Sequence, residues 1–201
     1  AWSNKRTFGA IACLEVNFDV SRPVPHERTG ATEMTVLVPT MGALHKGHQA
    51  LIKRARTLDK DVIVSIFVNP LQFENKSDLE QYPRSPERDI EIATIAGATE
   101  VWFPEYEDLY PEGFKTLSAG ALGNVFEGAS RPGHFDGVVT VIDRLCTIAK
   151  PDKAVFGEKD FQQLTIVKAM KSKVEIISVP TVREFDGLAM SSRNLRLSET
   201  G

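Results

Sequence analysis

The stretch "VIVSIFV", residues 62–68, decides the fold class of this chain. Six of its seven residues are apolar, so the run lacks the alternation expected of a strand with one face in water. A strand of this type is buried on both faces, which is typical of a parallel sheet covered by helices. Two shorter runs of the same kind, residues 34–38 and 100–103, lie before and after it. The sequence therefore predicts an α/β fold.

Segments with helical periodicity alternate with these strand candidates. The helical segments are residues 48–58, 85–98, 135–149 and 159–170, and two later strand candidates are residues 154–157 and 174–179. Strand and helix thus alternate along the chain, which predicts a doubly wound parallel sheet with helices on both faces. In such sheets ligands bind beyond the carboxyl ends of the strands, so the loops that follow strands are the candidates for chemistry.

We assign residues 34–201 to a single domain and leave the role of residues 1–33 open. Residues 1–33 show no sustained period, and residues 21–33 are rich in turn formers, as expected of a connector. A chain of 201 residues is long enough to bury one sizeable core.

Composition and charge limit the classes of partner. The net charge of -3 and the pI near 5.9 provide no overall attraction to nucleic acid or to an anionic membrane. The apolar stretches near the N-terminus fall short of the ~18 residues that a membrane span needs. Two cysteines, Cys13 and Cys146, are too few for a disulfide scaffold, which favours a reducing compartment. We expect a cytoplasmic protein that binds neither nucleic acid nor membrane, although the first residue is Ala and a removed targeting peptide stays an open alternative.

The loop "PTMGALHKGH", residues 39–48, predicts a phosphate site. It joins a strand to the start of a helix, where free backbone N–H groups and the helix dipole favour an anion. Gly47 removes a Cβ where an anion would approach the backbone, and His45 and His48 are spaced to donate from one side. Two surface histidines beside a turn are the alternative interpretation. A metal site is another, but no third ligand lies within the loop.

Amide side chains follow two other strands. Asn69 and Gln72 follow the run at residues 62–68, and Gln163 follows a second strand end, one helical turn beyond Lys159. Amides donate and accept hydrogen bonds without adding charge, which suits a small polar substrate. An ordinary Asn-Pro strand exit is the alternative at Asn69.

Cationic side chains occur in two of the later loops. Lys159 lies in "FGEKDFQQL", residues 156–164, and Arg193 lies in "MSSRN", residues 190–194. Both side chains can neutralise phosphate, and arginine presents a planar fork of donors. Taken alone, the first loop also fits a solvated charge cluster and the second a serine helix cap.

Taken together, these segments resemble the pantothenate synthetase (pantoate:beta-alanine ligase) family. The resemblance runs from about Val36 to Asn194, in order and at compatible spacings. Its motifs are "VPTMGALHKGH", "VSIFVNPLQF", "YPRSPERD", "EGASRPGHFDGV", "FGEKDFQQL", "VPTVRE" and "DGLAMSSRN". It implies a Rossmann-like nucleotidyltransferase domain whose HxGH element is shared with other adenylyl-transferring enzymes. It further implies that ATP and pantoate form a pantoyl adenylate, that beta-alanine then displaces AMP, that Mg²⁺ accompanies ATP, and that the protein is a homodimer.

The resemblance also implies site residues, position by position. It assigns ATP binding to Pro39, Thr40, Met41, His45, Gly47, His48, Gly157, Lys159, Asp160, Val182, Met190, Ser191, Ser192 and Arg193. The catalytic residues among them are His48, as hydrogen-bond or proton donor, with His45, Lys159 and Arg193. Pantoate and beta-alanine binding falls to Gln72, Gln163, Asn69, Arg131 and His134, and Asp89 is the candidate ligand of Mg²⁺.

One departure from the family keeps alternatives open. Family members continue into a C-terminal lid domain, whereas only residues 195–201 follow Asn194 here, so we expect the lid to be absent. An ATP-binding but inactive N-terminal domain is therefore one alternative. The other is a related HxGH adenylyltransferase acting on a phosphorylated acceptor, which would favour Arg or Lys where Gln72 and Gln163 stand.

Overall fold

The computed structural model describes residues 19–21 and 34–196, and it confirms the predicted α/β fold with a parallel sheet. The strands are β1 (Asp19–Ser21), β2 (Thr35–Thr40), β3 (Asp61–Ile66), β4 (Glu100–Trp102), β5 (Lys153–Gly157) and β6 (Glu175–Val179). They form one sheet in the order β1-β4-β3-β2-β5-β6, and every pairing is parallel. The chain builds outward from β2 through β3 to β4 and then crosses back to add β5 and β6. The two directions of winding therefore meet between β2 and β5.

Helices connect the strands and cover both faces of the sheet. They are α1 (Lys46–Leu58), α2 (Lys76–Glu80), α3 (Pro86–Ala96), α4 (Tyr106–Leu109), α5 (Glu127–Ser130), α6 (His134–Ala149) and α7 (Phe161–Ala169). Short 3-10 turns occupy Pro70–Gln72, Gly120–Asn124 and Ser192–Arg196. Among the residues that the structure describes, no helix is both long and apolar enough to cross a lipid bilayer.

Two apolar layers, one on each face of the sheet, explain the run at residues 62–68. Val62 and Val64 point into the layer formed with α1 and α3, whereas Ile63 points into the layer formed with α6 and α7. Successive residues of a strand face opposite sides, so burial on both faces demands an unbroken apolar run. β3 itself ends at Ile66, and Phe67 begins the turn that leads into the loop.

The edge strand β1 lies before the predicted domain boundary at residue 34. Asp19–Ser21 pairs in parallel with Glu100–Trp102, so this part of the N-terminal segment belongs to the sheet. A three-residue strand is too short to show a period in the sequence. Residues 1–18, 22–33 and 197–201, with Cys13 among them, lie outside the described residues.

The loops that follow β2 and β5 lie side by side because these two strands are neighbours in the sheet. This is the topological switch point, where the connections leave in opposite directions and open a crevice. The fold therefore brings residues 41–45 and residues 158–160 to the same edge of the sheet.

Candidate functional site

A cavity of about 230 Å³ opens at the switch point between β2 and β5. All but three of the side chains and glycines singled out from the sequence line it. These are Pro39, Thr40, Met41, His45, Gly47, His48, Asn69, Gln72, Gly157, Lys159, Asp160, Gln163, Val182, Met190, Ser191, Ser192 and Arg193. The three that lie elsewhere are Asp89, Arg131 and His134. Segments far apart in the sequence thus converge on one site.

The two histidines cap the first turn of α1 with their rings. His45 is the N-cap residue, and its Nδ1 accepts a hydrogen bond from the backbone N–H of Gly47 at 3.1 Å. The Nδ1 of His48 accepts from the backbone N–H of His45 at 3.2 Å. A ring nitrogen that accepts carries no proton, so in each neutral ring the proton lies on Nε2. Both histidines therefore have an Nε2–H left to donate to a ligand.

Gly47 is required by the cap itself. A Cβ at this position would lie 2.8 Å from Cε1 and 2.9 Å from Nδ1 of His45, closer than real Cβ atoms approach. The missing Cβ thus clears space for the imidazole of His45, and the interpretation that Gly47 also lets an anion approach the backbone stays a prediction. The ring nitrogens also take up N–H groups that we expected an anion to meet.

Burial holds both imidazoles in the neutral form. Burial, with smaller contributions in the same direction from the neighbouring His45 and the Lys159 ammonium, lowers the pKa of His48 to about 3. The pKa of His45 is also lowered, first by burial and then by Lys159. At neutral pH the pair therefore offers hydrogen-bond donors without charge, and the positive charge of the cavity comes from Lys159 and Arg193.

The two cations are each paired with a carboxylate at the rim. The Nζ of Lys159 lies 2.9 Å from Oδ1 of Asp160, and Nη2 of Arg193 lies 3.0 Å from Oδ2 of Asp78. The Arg193 guanidinium also lies over the Tyr82 ring, 5.7 Å from its centroid. Exposed pairs of this kind contribute little stability, so an incoming phosphate can replace the carboxylates as partner.

Gln72 is oriented by Asn69. The Nδ2 of Asn69 donates to Oε1 of Gln72 at 3.0 Å and to the carbonyl of Gly137 at 3.1 Å. Its Oδ1 accepts from the backbone N–H of Leu71 at 3.2 Å. Asn69 is 1% exposed, so these contacts take up its polar atoms. It lines the cavity, yet its amide faces the protein and supports Gln72.

Arg131 and His134, predicted to bind substrate, lie behind Gln72 and outside the cavity. The Nδ1 of His134 is 2.8 Å from the carbonyl oxygen of Gln72, and Nη2 of Arg131 donates to the same oxygen at 3.5 Å. Arg131 also forms a salt bridge with Glu127. Their nitrogens face a backbone carbonyl and so support the Gln72 backbone, and contact of the two side chains with substrate stays a prediction.

Asp89, the predicted magnesium ligand, lies beneath the first loop and is 1% exposed. Its Oδ2 accepts from the backbone N–H of Ala43 at 2.9 Å and its Oδ1 from that of Leu44 at 2.7 Å. Both oxygens therefore hold the backbone of the loop, and the assignment of Asp89 to magnesium stays a prediction. Among the described residues no group of three or more His, Cys, Asp or Glu side chains could hold a metal ion.

The sequence interpretation missed the apolar wall of the cavity. Four side chains of α6 form it, namely Val138, Val141, Ile142 and Leu145. Their helical spacing was visible and was assigned to the core alone, where they also belong. Tyr82 was missed as well, although it stands in the "YPRSPERD" motif; it is 6% exposed and reaches the cavity below Arg193.

Comparisons with known proteins point in one direction. The sequence model of the Pantoate-beta-alanine ligase family matches residues 18–201. A curated pantothenate synthetase of Mycolicibacterium smegmatis is 52% identical over 201 residues, which cover 97% of this chain and 64% of the relative. One from Bdellovibrio bacteriovorus is 50% identical over 166 residues, which cover 80% of this chain and 66% of the relative.

Solved structures agree. The crystal structure of pantothenate synthetase from Thermus thermophilus has a TM-score of 0.79 and 50% identity, covering 84% of this chain and 63% of that one. A pantoate-beta-alanine ligase from Francisella tularensis, complexed with beta-gamma ATP and beta-alanine, has a TM-score of 0.79 and 42% identity, covering 85% and 67%. The chain spans about 54 to 66% of the length of the curated relatives with which it was compared.

Proposed function

We propose a function on the premise that the chain belongs to the pantoate-beta-alanine ligase family. It is the ATP- and pantoate-binding part of an enzyme that joins pantoate to beta-alanine through a pantoyl adenylate. In the first step a carboxylate oxygen of pantoate bonds to the α-phosphorus of ATP, and the bond to the β-phosphate oxygen breaks to release pyrophosphate. In the second step the neutral amine of beta-alanine attacks the acyl carbon, the bond from that carbon to the phosphate oxygen breaks to release AMP, and the nitrogen loses a proton.

One observation carries this proposal: two neutral imidazoles with free Nε2–H groups share one cavity with the cations Lys159 and Arg193. Attack of a carboxylate on a polyphosphate brings negative groups together, so the site must supply preorganised donors and positive charge. His45 and His48 are fixed by the helix cap and need no rearrangement to donate. The cations are placed to balance the charge of departing pyrophosphate.

The remainder of the cavity fits an acid such as pantoate. Pantoate carries two methyl groups on one carbon, and these can pack against the apolar side chains of the α6 wall. Gln72 and Gln163 line the same cavity and provide uncharged donors and acceptors for the hydroxyl and carboxylate oxygens. We propose that the acid lies between the amides and α6, with its carboxylate toward the histidines.

Magnesium fits this cavity as an ion carried mainly by the phosphates. Among the described residues, Asp160 is the carboxylate that lines the cavity. No group of three or more His, Cys, Asp or Glu side chains that could hold a metal ion is found among them. Mg²⁺ commonly keeps several waters and binds through one or two carboxylates plus substrate phosphates. We propose Asp160 as its protein ligand; the ion supplies charge neutralisation on the polyphosphate.

Exchange of labelled pyrophosphate into ATP tests the first step on this chain without beta-alanine. We expect exchange that depends on pantoate, because formation of the adenylate is reversible on the enzyme. Exchange without pantoate, or none with it, would contradict the proposal.

The same assay separates the two alternatives. ATP binding without exchange indicates a binding domain, a result compatible with a chain that spans only part of its relatives' length. Exchange that requires a phosphorylated acceptor indicates an adenylyltransferase of another type. Calorimetric titration with ATP gives the binding measurement that the first distinction needs.

We also propose that the protein is a homodimer. Four exposed apolar side chains, Leu122, Val125, Phe126 and Phe161, lie around Gln162, whose Nε2 donates to the carbonyls of Leu122 and Val125. Phe126 is 85% exposed, and an apolar surface of this kind supports association with a second copy. Sedimentation of the Phe126→Ser variant tests this, and Phe185→Ser, at another exposed phenylalanine, is the control. A dimeric Phe126→Ser protein would place the interface elsewhere. A monomeric wild type would reject the dimer.

A cytoplasmic location is the last part of the proposal. Two cysteines in 201 residues, far apart in the sequence, support a reducing compartment. Fractionation of cells of the source organism, followed by immunodetection, tests it, and recovery outside the cytoplasm would reject it.

A further inference from the structure

We propose that Tyr110 is a positioning residue for the acid substrate: its hydroxyl helps Asn69 to hold the amide of Gln72 with an N–H toward the cavity. The inference rests on the proposed function, in which Gln72 contacts the acid. Tyr110 itself lies outside the cavity lining and is 4% exposed.

Three side chains form a chain of hydrogen bonds that ends in the cavity. The hydroxyl of Tyr110 donates to Oδ1 of Asn69 at 2.8 Å, and Nδ2 of Asn69 donates to Oε1 of Gln72 at 3.0 Å. The Nε2 of Gln72 then lies on the cavity side, 3.1 Å from Sδ of Met41. A thioether sulfur is a weak acceptor, so a hydroxyl or carboxylate oxygen of a ligand is the better partner for this N–H.

The direction of this chain is fixed by groups that have only one role. The backbone N–H of Leu71 can only donate and the carbonyl of Gly137 can only accept, so Oδ1 of Asn69 faces Leu71 and Nδ2 faces Gly137. An amide flip at Asn69 would place its Nδ2 donor against the N–H of Leu71 and its Oδ1 acceptor against the carbonyl of Gly137. Gln72 must therefore turn its oxygen to Asn69 and its nitrogen to the cavity.

Tyr110 adds the second donor to Oδ1 of Asn69 from a rigid position. Its ring packs against Phe67, Tyr106 and Phe114, with centroids 6.1, 4.9 and 4.7 Å away. Its backbone N–H donates to the carbonyl of Tyr106 at 2.8 Å. Burial raises the pKa of Tyr110, with the neighbouring Tyr106 acting in the same direction, so the hydroxyl keeps its proton. The packing is retained when only the oxygen is removed.

Tyr110→Phe removes that oxygen alone, and Tyr106→Phe is the matched control. Tyr106 is four residues away on the same turn and 39% exposed, and no hydrogen bond of its hydroxyl is found within the described part of the chain. Calorimetric titration with pantoate and, separately, with ATP measures both affinities. We expect Tyr110→Phe to weaken pantoate binding roughly three- to tenfold, the effect of one lost hydrogen bond, with ATP affinity unchanged within about twofold. Tyr106→Phe should match the wild type for both ligands.

A merely structural role is excluded by combining Tyr110→Phe with Gln72→Ala. If Tyr110 acts through Gln72, adding Tyr110→Phe to Gln72→Ala causes no further loss of pantoate affinity. A full additional loss in the double variant, or wild-type affinity in Tyr110→Phe, overturns the inference.

Side-chain amide NMR of the wild type provides a test that needs no folded Tyr110 variant. Pantoate should shift the Nε2 signals of Gln72, which are assigned by their disappearance in Gln72→Ala. Unmoved signals in a protein that binds pantoate overturn the inference and the contact of Gln72 with the acid, but leave the proposed ligase reaction standing. Absence of pantoate binding by the wild type overturns both.

Discussion

His45 and His48 cap one helix together: each ring accepts a backbone hydrogen bond, from Gly47 at 3.1 Å and from His45 at 3.2 Å respectively. Their ring centroids are 4.1 Å apart. The same contacts that begin α1 thus fix the tautomer of both imidazoles and leave both Nε2–H groups for a ligand. The helix cap and the proposed chemistry thus depend on different nitrogens of the same two rings, so a useful substitution has to separate the two roles.

His48→Asn and His48→Ala separate capping from donation. Asparagine keeps a side-chain acceptor for the N–H of His45 but cannot place a donor where Nε2 lies, and alanine keeps neither. We expect both variants to slow pantoate-dependent exchange of pyrophosphate by at least ~100-fold, in line with loss of one electrostatic stabiliser. Only His48→Ala should also lower the free energy of unfolding, by about 1 kcal/mol for the lost cap. Near-normal exchange in His48→Asn would remove the ring from the chemistry.

The depressed pKa of His48 predicts acid sensitivity of the fold. Unfolded histidine titrates near 6.5, whereas His48 in the folded protein stays neutral down to about 3. The unfolded state therefore binds more protons below pH 6.5, so this contribution is fully present above pH 6.5 and is lost as the pH falls toward 3. The loss is about 1.4 kcal/mol per pH unit within that window.

Denaturant unfolding of His48→Asn at pH 7.5 and 5.0 checks this. The wild type should lose about 2 kcal/mol more than the variant between the two pH values, because the variant lacks the titrating ring. His45, whose pKa is also lowered, is common to both proteins and cancels in the difference. An equal loss in both proteins would mean that His48 is protonated normally in the folded state.

Lys159→Ala tests the charge of the cavity, with Lys168→Ala as its control. Both lysines lie in or beside α7, but Lys159 lines the cavity and Lys168 lies in the last turn of the helix. We expect Lys159→Ala to slow exchange by at least ~100-fold and Lys168→Ala to leave it unchanged. Removal of the Lys159 ammonium should also raise the pKa of His48, since that charge helps to lower it. Equal exchange rates in the two variants would mean that Lys159 does not stabilise the reacting phosphates.

Within the described residues, the sequence predicted five of the six strands, the helices α1, α3, α6 and α7, and most of the residues that line the cavity, because strand periods, helical periods and strand-end loops leave local patterns. The apolar run at residues 62–68 indicated burial on both faces, and parallel strands put their following loops at one edge. The direction of individual side chains has no such pattern. Whether Asp89 faces a metal or the loop beneath it depends on the Gly42 turn, whose φ of +83 and contact to Asp89 only the fold reveals.

The hydrogen bond from Tyr110 to Asn69 was equally hidden, because the two residues lie 41 positions apart and Tyr110 stands outside every motif quoted above. Long-range hydrogen bonds of this kind follow from packing, which a single sequence does not specify. The apolar wall of α6 was missed for a different reason. Its helical spacing was visible in the sequence, but the same apolar side chains belong to the core and also line the cavity.

Asp89→Asn distinguishes a loop support from a magnesium ligand. Asparagine keeps one acceptor but replaces the other carboxylate oxygen with a donor, which would face the N–H of Ala43 or Leu44. We expect a loss of about 2 kcal/mol in unfolding free energy, as for a buried hydrogen bond to a charged group. The magnesium concentration for half-maximal exchange should stay at the wild-type value. A large increase in that concentration at unchanged stability would instead support the assignment of Asp89 to magnesium.

Gly137 allows α6 to approach the turn at Pro70–Gln72, and Gly137→Ala tests whether that approach positions Gln72. A Cβ on Gly137 would lie 2.3 Å from the carbonyl oxygen of Leu71 and 2.5 Å from its carbon, and backbone cannot move aside as a side chain can. We expect a loss of about 1–3 kcal/mol in unfolding free energy, as for overpacking, together with weaker pantoate binding at unchanged ATP affinity.

Gly113→Ala is the control for stability alone: its φ is +80, so alanine is strained there, but open space surrounds the position. It should destabilise the fold by about 1–2 kcal/mol and leave both affinities unchanged. If Gly137→Ala weakens pantoate no more than Gly113→Ala does, the contact between α6 and the turn supports the fold but not the position of Gln72.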